Sequence, residues 1–351
     1  MEKKVRRMIG TWLLIGCVMV FFQVIIGGVT RLTGSGLSIT KWEIVTGVVP
    51  PLNGDDWQQE FVKYQHTPQY QQINQDMTLG EFQFIYFWEY FHRLWARTMG
   101  LVFLFPFLFF LYKNWVSPEL LWKLGIVVIW GGCIGLLGWI MVASGLEQRP
   151  YVAPLKLTIH LTPALCLFGY LVYLTLYVFR GDAPKVAVPT SVRGLLLGIL
   201  GVLVVQLFLG GIVSGMKAGL AFPSWPKMHG EWLPSVLFNG EKTLDGITQF
   251  SFQAVWGQAL IQVLHRTVAY TLVVLIGWFF FRAYKIEGGG WWHYSVQLYP
   301  ATVCLQALIG IITVTNCIGH IPVFYGVLHQ AGAMLLLAHT VLLVFQVRSS
   351  Q

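Results

Sequence analysis

The sequence predicts an all-α integral membrane protein, with eight transmembrane helices arranged as two tandem, pseudo-symmetric four-helix bundles. Three observations predict this. The chain is 56% hydrophobic and only 11% charged, against about 25% charged in ordinary globular chains. Eight apolar runs, at about 9–30, 84–112, 122–143, 155–179, 192–215, 255–281, 294–315 and 322–346, have the length a helix needs to cross a bilayer. They are too long and too uniformly apolar for barrel strands, which leaves helices to satisfy the backbone in lipid. The third observation is that the two halves resemble one another.

The repeat is visible in four places. "QVIIGGVTRLTGSGLS" from Gln23 pairs with "QLFLGGIVSGMKAGLA" from Gln206. "FHRLWARTMGLV" pairs with "LHRTVAYTLVVL", and "LLGWIMVASG" with "LIGIITVTNC". His160 and His329 stand at similar places in the last span of each half. The offsets are 183, 173 and 169 residues for the Gln-Gly-Gly motifs, the His-Arg pairs and the last histidines. Four spans per half make this a parallel repeat. The short "RGDAPKVAVP" loop with its two prolines sets the boundary, giving an N-terminal bundle over 1–183 and a C-terminal bundle over 184–351.

The net charge of +8 needs no nucleic acid to explain it. With both termini cytoplasmic, the Lys/Arg excess falls on the inner loops, as topology in a membrane requires. "MEKKVRR" is then an inner anchor, with no cleavage site or transit segment before it, and the expected location is a bacterial plasma membrane. None of the five cysteines forms a CxxC or CxxCH motif, so neither covalent c-type haem nor an adjacent thiol pair is indicated. Cys17, Cys133, Cys166, Cys304 and Cys317 are read as small buried residues. The polar stretch within 31–83 is expected to form short helices on the outer surface, with His66 in solvent. "FPSWPKMHGEWLP" suits an interfacial cap in which His229 is structural.

Four histidines carry the functional argument. His92, His160, His265 and His329 fall on the even-numbered spans, all roughly 10–15 Å below the outer surface at about 1.5 Å per residue. Two lie in each half, on the same two helices of each unit. Paired imidazoles on facing helices suit bis-histidine ligation of haem iron. Zinc or copper would want a carboxylate or thiol that recurs with the pairs, and none does. His293 and His320 are read as interfacial, and His339 as a packing residue or a polar contact.

The halves differ at one position. Glu89 precedes His92 by three residues, on the same helix face, whereas Gln262 precedes His265. A buried carboxylate can serve as acid or base, or can simply pair with Arg93. The asymmetry points to chemistry in the N-terminal half and an electron-relay haem in the C-terminal half. Arg93, Arg97, Lys156 and Arg266 either hold haem propionates or snorkel and pair structurally. Three functions remain open on the residues alone: an enzyme acting on haem, a di-haem b-type electron-transfer cytochrome, and a haem carrier without chemistry.

"GGVTRLTGSGLSITKWEIVTGVVPPLN", "EFQFIYFWEYFHR", "GWIMVASGL" and "LHR…LHQ" together resemble the haem A synthase family over nearly the whole chain. The resemblance implies two similar four-helix bundles and oxidation of the C8 methyl of haem O to a formyl group, through a hydroxymethyl intermediate. It implies His92 and His160 as ligands of the substrate haem, His265 and His329 as ligands of a haem B cofactor, and Glu89 as the catalytic carboxylate. Haem O synthase, the protohaem farnesyltransferase, would supply the substrate. Cytochrome oxidase assembly would receive haem A. Residues 31–83 contain no cysteine, so the chain resembles the members without a disulfide in the first outer loop.

Overall fold

The computed structural model describes residues 2–41, 46–146, 150–181, 183–238 and 252–349. Residues 42–45 of the first long motif and the loop 239–251 lie outside the described residues. Eight helices among the described residues are long and apolar enough to cross a membrane. The chain divides into two compact units, Met1–Thr175 and Leu176–Gln351.

In the first unit, α1 (Lys3–Leu32) runs unbroken and stops where the Thr33 N–H bonds Val29 O at 2.9 Å. Gly34 turns the chain at φ +72°, a left-handed conformation that favours glycine. Two short surface helices follow, α2 (Gly54–Gln65) and α3 (Pro68–Gln72). Asn53 caps α2 by accepting from Asp56 N at 2.9 Å, and Thr67 caps α3. They rest on the N-terminal end of α4 (Leu79–Tyr112) through aromatic contacts. Trp57 meets Tyr86 at 5.1 Å, and Phe61 and Tyr64 meet Phe82 at 5.1 and 5.2 Å. A capping box fixes the start of α4: Thr78 accepts from Glu81 N while the Glu81 carboxylate accepts from Thr78 N. α5 (Pro118–Leu146) and α6 (Pro154–Arg180) complete the set, and Cys17 on α1 meets Thr175 on α6 at 3.3 Å.

The second unit contains α7 (Thr190–Gly215), the single turn α8 (Ala218–Ala221), α9 (Phe252–Ala283), α10 (Gly290–Thr315) and α11 (Val323–Gln346). The "KMHGEW" segment closes as a hairpin in which Met228 and Glu231 exchange backbone bonds. His229 and Gly230 both have positive φ, as a type I′ turn demands. Phe222, Met228 and Val236 of this cap bury against Val255 and Ala259 of α9. Strand β1 (Val186–Val188) pairs in parallel with β2 (Val347–Ser349), a feature with no periodic signal in so short a sequence.

The outward faces are apolar: Phe105, Ile129, Val274 and Phe281 are all exposed. In water such a surface would drive association; against lipid tails it is the expected one. Two cysteines depart from the buried reading. Cys133 and Cys304 are exposed on helix faces, Cys166 is half-buried, and only Cys17 and Cys317 are buried. An acyl chain is as apolar as a protein core, so the residue type suits either surrounding. His66, His229, His293 and His320 are exposed.

Candidate functional site

Glu89 is a buried carboxylate of the first unit, at 2% exposure. Its Oε2 accepts from the Ser38 hydroxyl at 2.7 Å and from Ile39 N at 2.8 Å. Its Oε1 accepts from the Arg93 guanidinium at 2.5 Å. The i,i+4 spacing on α4 puts Glu89 and Arg93 side by side. Arg93 also donates to Ile39 O at 3.1 Å and Lys41 O at 2.9 Å. The motif segment after α1 is thus folded down onto α4 by one carboxylate and one guanidinium.

The second unit repeats this arrangement with the charge removed. Gln262 is 3% exposed and donates to Ala218 O at 2.6 Å, while its Oε1 accepts from Arg266 at 2.7 Å. Arg266 donates to Phe222 O at 3.3 Å and Ser224 O at 2.8 Å. Phe222 and Ser224 stand 183 residues after Ile39 and Lys41, so the two guanidiniums grip corresponding carbonyls. Arg93 and Arg266 are therefore engaged as loop clamps. Arg97 lies one turn further along α4, and Lys156 is exposed on the first turn of α6, one turn before His160.

The histidines fall into one pair per unit. His92 on α4 and His160 on α6 are close enough to interact electrostatically, as are His265 on α9 and His329 on α11. Each ring lies against a glycine of a neighbouring helix. A Cβ at Gly27 would stand 2.9 Å from His92 Nε2, and one at Gly138 would stand 2.9 Å from His160 Cε1. A Cβ at Gly210 or Gly310 would stand 3.2 Å from His265 Cε1 or 2.7 Å from His329 Cε1. His160 Nδ1 lies 3.0 Å from the Ile134 carbonyl. Donating there leaves Nε2 with the lone pair, the arrangement common to metal-bound histidines. His265 is contacted by Gln206, Nε2 to Nε2 at 3.4 Å, and His329 Nδ1 by Gln306 Nε2 at 3.1 Å.

These surroundings fit a haem. Among the described residues no three His, Cys, Asp or Glu converge. A bare ion would want more donors than two imidazoles, whereas haem brings its own equatorial nitrogens. Several buried polar atoms beside the rings have no partner among the described residues: Gln23 Oε1, Gln206 Oε1, Gln306 Oε1 and His265 Nδ1. Such atoms are costly to bury, and the three glutamines each contact one of the four histidines. Near Glu89 and Arg93 a cleft of about 210 Å³ opens between Ile39, Lys41, Trp139, Val142 and Leu146. Its lining is largely apolar, with Lys41 and Arg93 as the charged members.

His339, read as a packing residue or a polar contact, makes polar contacts: its ring lies 3.0 Å from Thr302 Oγ1 and 2.9 Å from the Ser295 carbonyl. Sequence reading missed Ser38, Gly138, Gly310 and Gln306. The 172-residue offset between Gly138 and Gly310 in the paired "LLGWIMVASG" and "LIGIITVTNC" segments was the available signal.

The sequence profile COX15-CtaA, described as "Cytochrome oxidase assembly protein", matches residues 10–341. The chain is 37% identical to a protein of Caulobacter sp. strain K31 over 97% of this chain and 96% of that one. It is 38% identical to one of Flavobacterium psychrophilum, covering 94% and 95%, and 39% identical to one of Parvibaculum lavamentivorans, covering 92% and 90%. Each of these three relatives is named "Heme A synthase".

Proposed function

The chain belongs to the COX15-CtaA family of cytochrome oxidase assembly proteins, and from that membership and the geometry above we propose that it is an oxidoreductase that converts haem O to haem A. The observation that carries the proposal is the matched pair of sites: the same guanidinium, loop carbonyls and histidine pair in both units, with a carboxylate in the first and an amide in the second. A duplicated cofactor holder needs no such difference; a catalytic unit beside a relay unit does.

In this reading His92 and His160 hold the iron of the substrate haem O, and the C8 methyl lies near Glu89. Each of two successive rounds takes two electrons from the methyl carbon, adds the oxygen of water and releases two protons, giving first the hydroxymethyl group and then a gem-diol that loses water to the formyl group; a haem B held by His265 and His329 would carry the electrons away one at a time. Glu89 accepts three hydrogen bonds and faces this reaction as a fixed carboxylate, held by Ser38, Ile39 N and Arg93. Its part is to stabilise positive charge developing at the methyl carbon and to receive the proton released there. Arg93 holds the 39–41 segment over the carboxylate. His265 and His329 hold haem B, which supplies one-electron redox chemistry when bound. Arg97 and Lys156 are the further candidates for propionate contacts in the first unit, beside Arg93. The protein lies in a bacterial plasma membrane with cytoplasmic termini. It takes haem O from the protohaem farnesyltransferase and passes haem A to cytochrome oxidase assembly.

The test is haem extraction and chromatography from bacteria that make this protein with a haem O synthase and have no haem A of their own. Haem A or its hydroxymethyl precursor is expected. Haems B and O alone, from well-folded and haem-loaded protein, would overturn the enzyme and favour the di-haem cytochrome or the carrier. Glu89→Gln should keep haem and lower product formation by about 100-fold or more, the usual scale for a lost acid–base group; wild-type turnover in that variant removes Glu89 from the chemistry.

A further inference from the structure

The loop segments that fold onto Glu89 and Gln262 present opposite polarity to them. In the first unit the segment offers donors: the Ser38 hydroxyl at 2.7 Å and Ile39 N at 2.8 Å both meet Glu89 Oε2. In the second unit the matching stretch offers acceptors. Ala218 O lies 2.6 Å and Phe222 O 3.4 Å from Gln262 Nε2. The residue matching Ser38 is Ala221, which has no hydroxyl to give. A carboxylate only accepts hydrogen bonds, so two carbonyl oxygens repel it, whereas an amide N–H satisfies them. The backbone of each loop thus selects the charge of the side chain beneath it.

That selection leaves the two units differently charged. In the first, Glu89 offsets Arg93 through an ion pair on α4. In the second, Arg266 bonds the Gln262 amide oxygen and the carbonyls of Phe222, Ser224 and Pro226, all of them neutral. Among the described residues no carboxylate forms a salt bridge with Arg266. The guanidinium follows His265 directly on α9 and is close enough to act on it electrostatically.

We propose that the amide enforced at Gln262 leaves the Arg266 charge without a carboxylate, and that this charge raises the midpoint potential of the second-unit haem. The inference rests on the assignment of His265 and His329 to a haem. Reduction of haem iron adds one negative charge, and a fixed cation nearby in a medium of low dielectric favours the reduced state. Arg266 is here a positioning residue with a second part, since the group that clamps the loop also sets how readily the haem takes an electron. The difference suits the proposed division of labour: the unit that receives electrons is the one stripped of its negative charge.

The experiment is an optical redox titration of the full-length, haem-loaded protein, following the haem that is lost in His265→Ala. Arg266→Gln removes the charge and is expected to lower the midpoint by about 59 mV or more, a tenfold change in a one-electron reduction equilibrium. Arg266→Lys breaks the fork of hydrogen bonds and keeps the charge, and is expected to hold the parent midpoint. If the two variants shift it equally, the clamp and not the charge sets the potential, and the proposal is overturned; an unchanged or raised midpoint in Arg266→Gln overturns it as well. Should Arg266→Gln shed its haem, Gln262→Glu decides. Its midpoint should fall below the parent's as the pH is raised and the new carboxyl ionises against the Ala218 and Phe222 carbonyls; a midpoint that tracks the parent's up to about pH 9, the upper range for a buried glutamate, overturns the proposal. If His265→Ala keeps every haem, the ligand assignment itself falls, which is a separate outcome.

Discussion

Single residues at this site act through contacts that only the fold supplies. Ser38 is 1% exposed and bonds the Glu89 carboxylate, and its counterpart beside Gln262 is Ala221. A bond to a charged acceptor contributes about 1.5–3 kcal/mol. Ser38→Ala should therefore lower stability by about 2 kcal/mol, read as a fall in the melting temperature in detergent, and should slow haem A formation. Gly138→Ala would press a methyl on an imidazole already held by Ile134 O. We expect loss of substrate haem from that variant, while Gly135→Ala, with open space around it, keeps its haem; equal haem contents would refute the seat. Glu89 and the four histidines were legible in the sequence because ionisable groups within apolar runs are rare and costly. Ser38, Gly138 and Gln306 were not, because a serine, a glycine or a glutamine near a helix end is ordinary until its neighbour is known.

At the scale of elements, the spans were legible and their extensions were not. α4 begins at Leu79, five residues before the apolar run, because its start is set by the Thr78–Glu81 box rather than by hydropathy. Thr78→Ala should cost about 1 kcal/mol, seen as faster amide exchange over the first turn of α4. The outer layer of α2 and α3 depends on Tyr64, which donates to Gln69 at 3.1 Å and accepts from Asn74 at 2.7 Å. Burial pushes its hydroxyl up from about 10 to about 12. The unfolded chain ionises first, so this stabilisation is whole below pH ~10 and is lost as the pH rises toward 12. Trp57 fluorescence should report the loss in that window, and Tyr64→Phe should remove the tyrosine-dependent part. The short α8 turn and the β1–β2 pair escaped sequence reading because each is shorter than the period that would reveal it.

For the whole molecule, the duplication carries a count. If each histidine pair holds one haem, His265→Ala should lose haem B and keep bound substrate, whereas His92→Ala should do the reverse; pyridine haemochrome assays of the two variants, with chromatography, check this. Loss of both haems in either variant would argue against independent units. The paired motifs were legible from their offsets because motif, spacing and residue type coincided, but the exchange of carboxylate for amide gained meaning only when Glu89 was seen to accept from Ile39 N where Gln262 donates to the carbonyl of the matching Phe222. The parallel pairing of Val186–Val188 with Val347–Ser349 adds something that neither bundle requires. The two strands are separated by four spans. Their pairing can form only after every intervening helix is inserted. A product cut short before Val347 leaves that edge of β1 unpaired, so slow amide exchange over Val186–Val188 reports that the four intervening spans have taken their places.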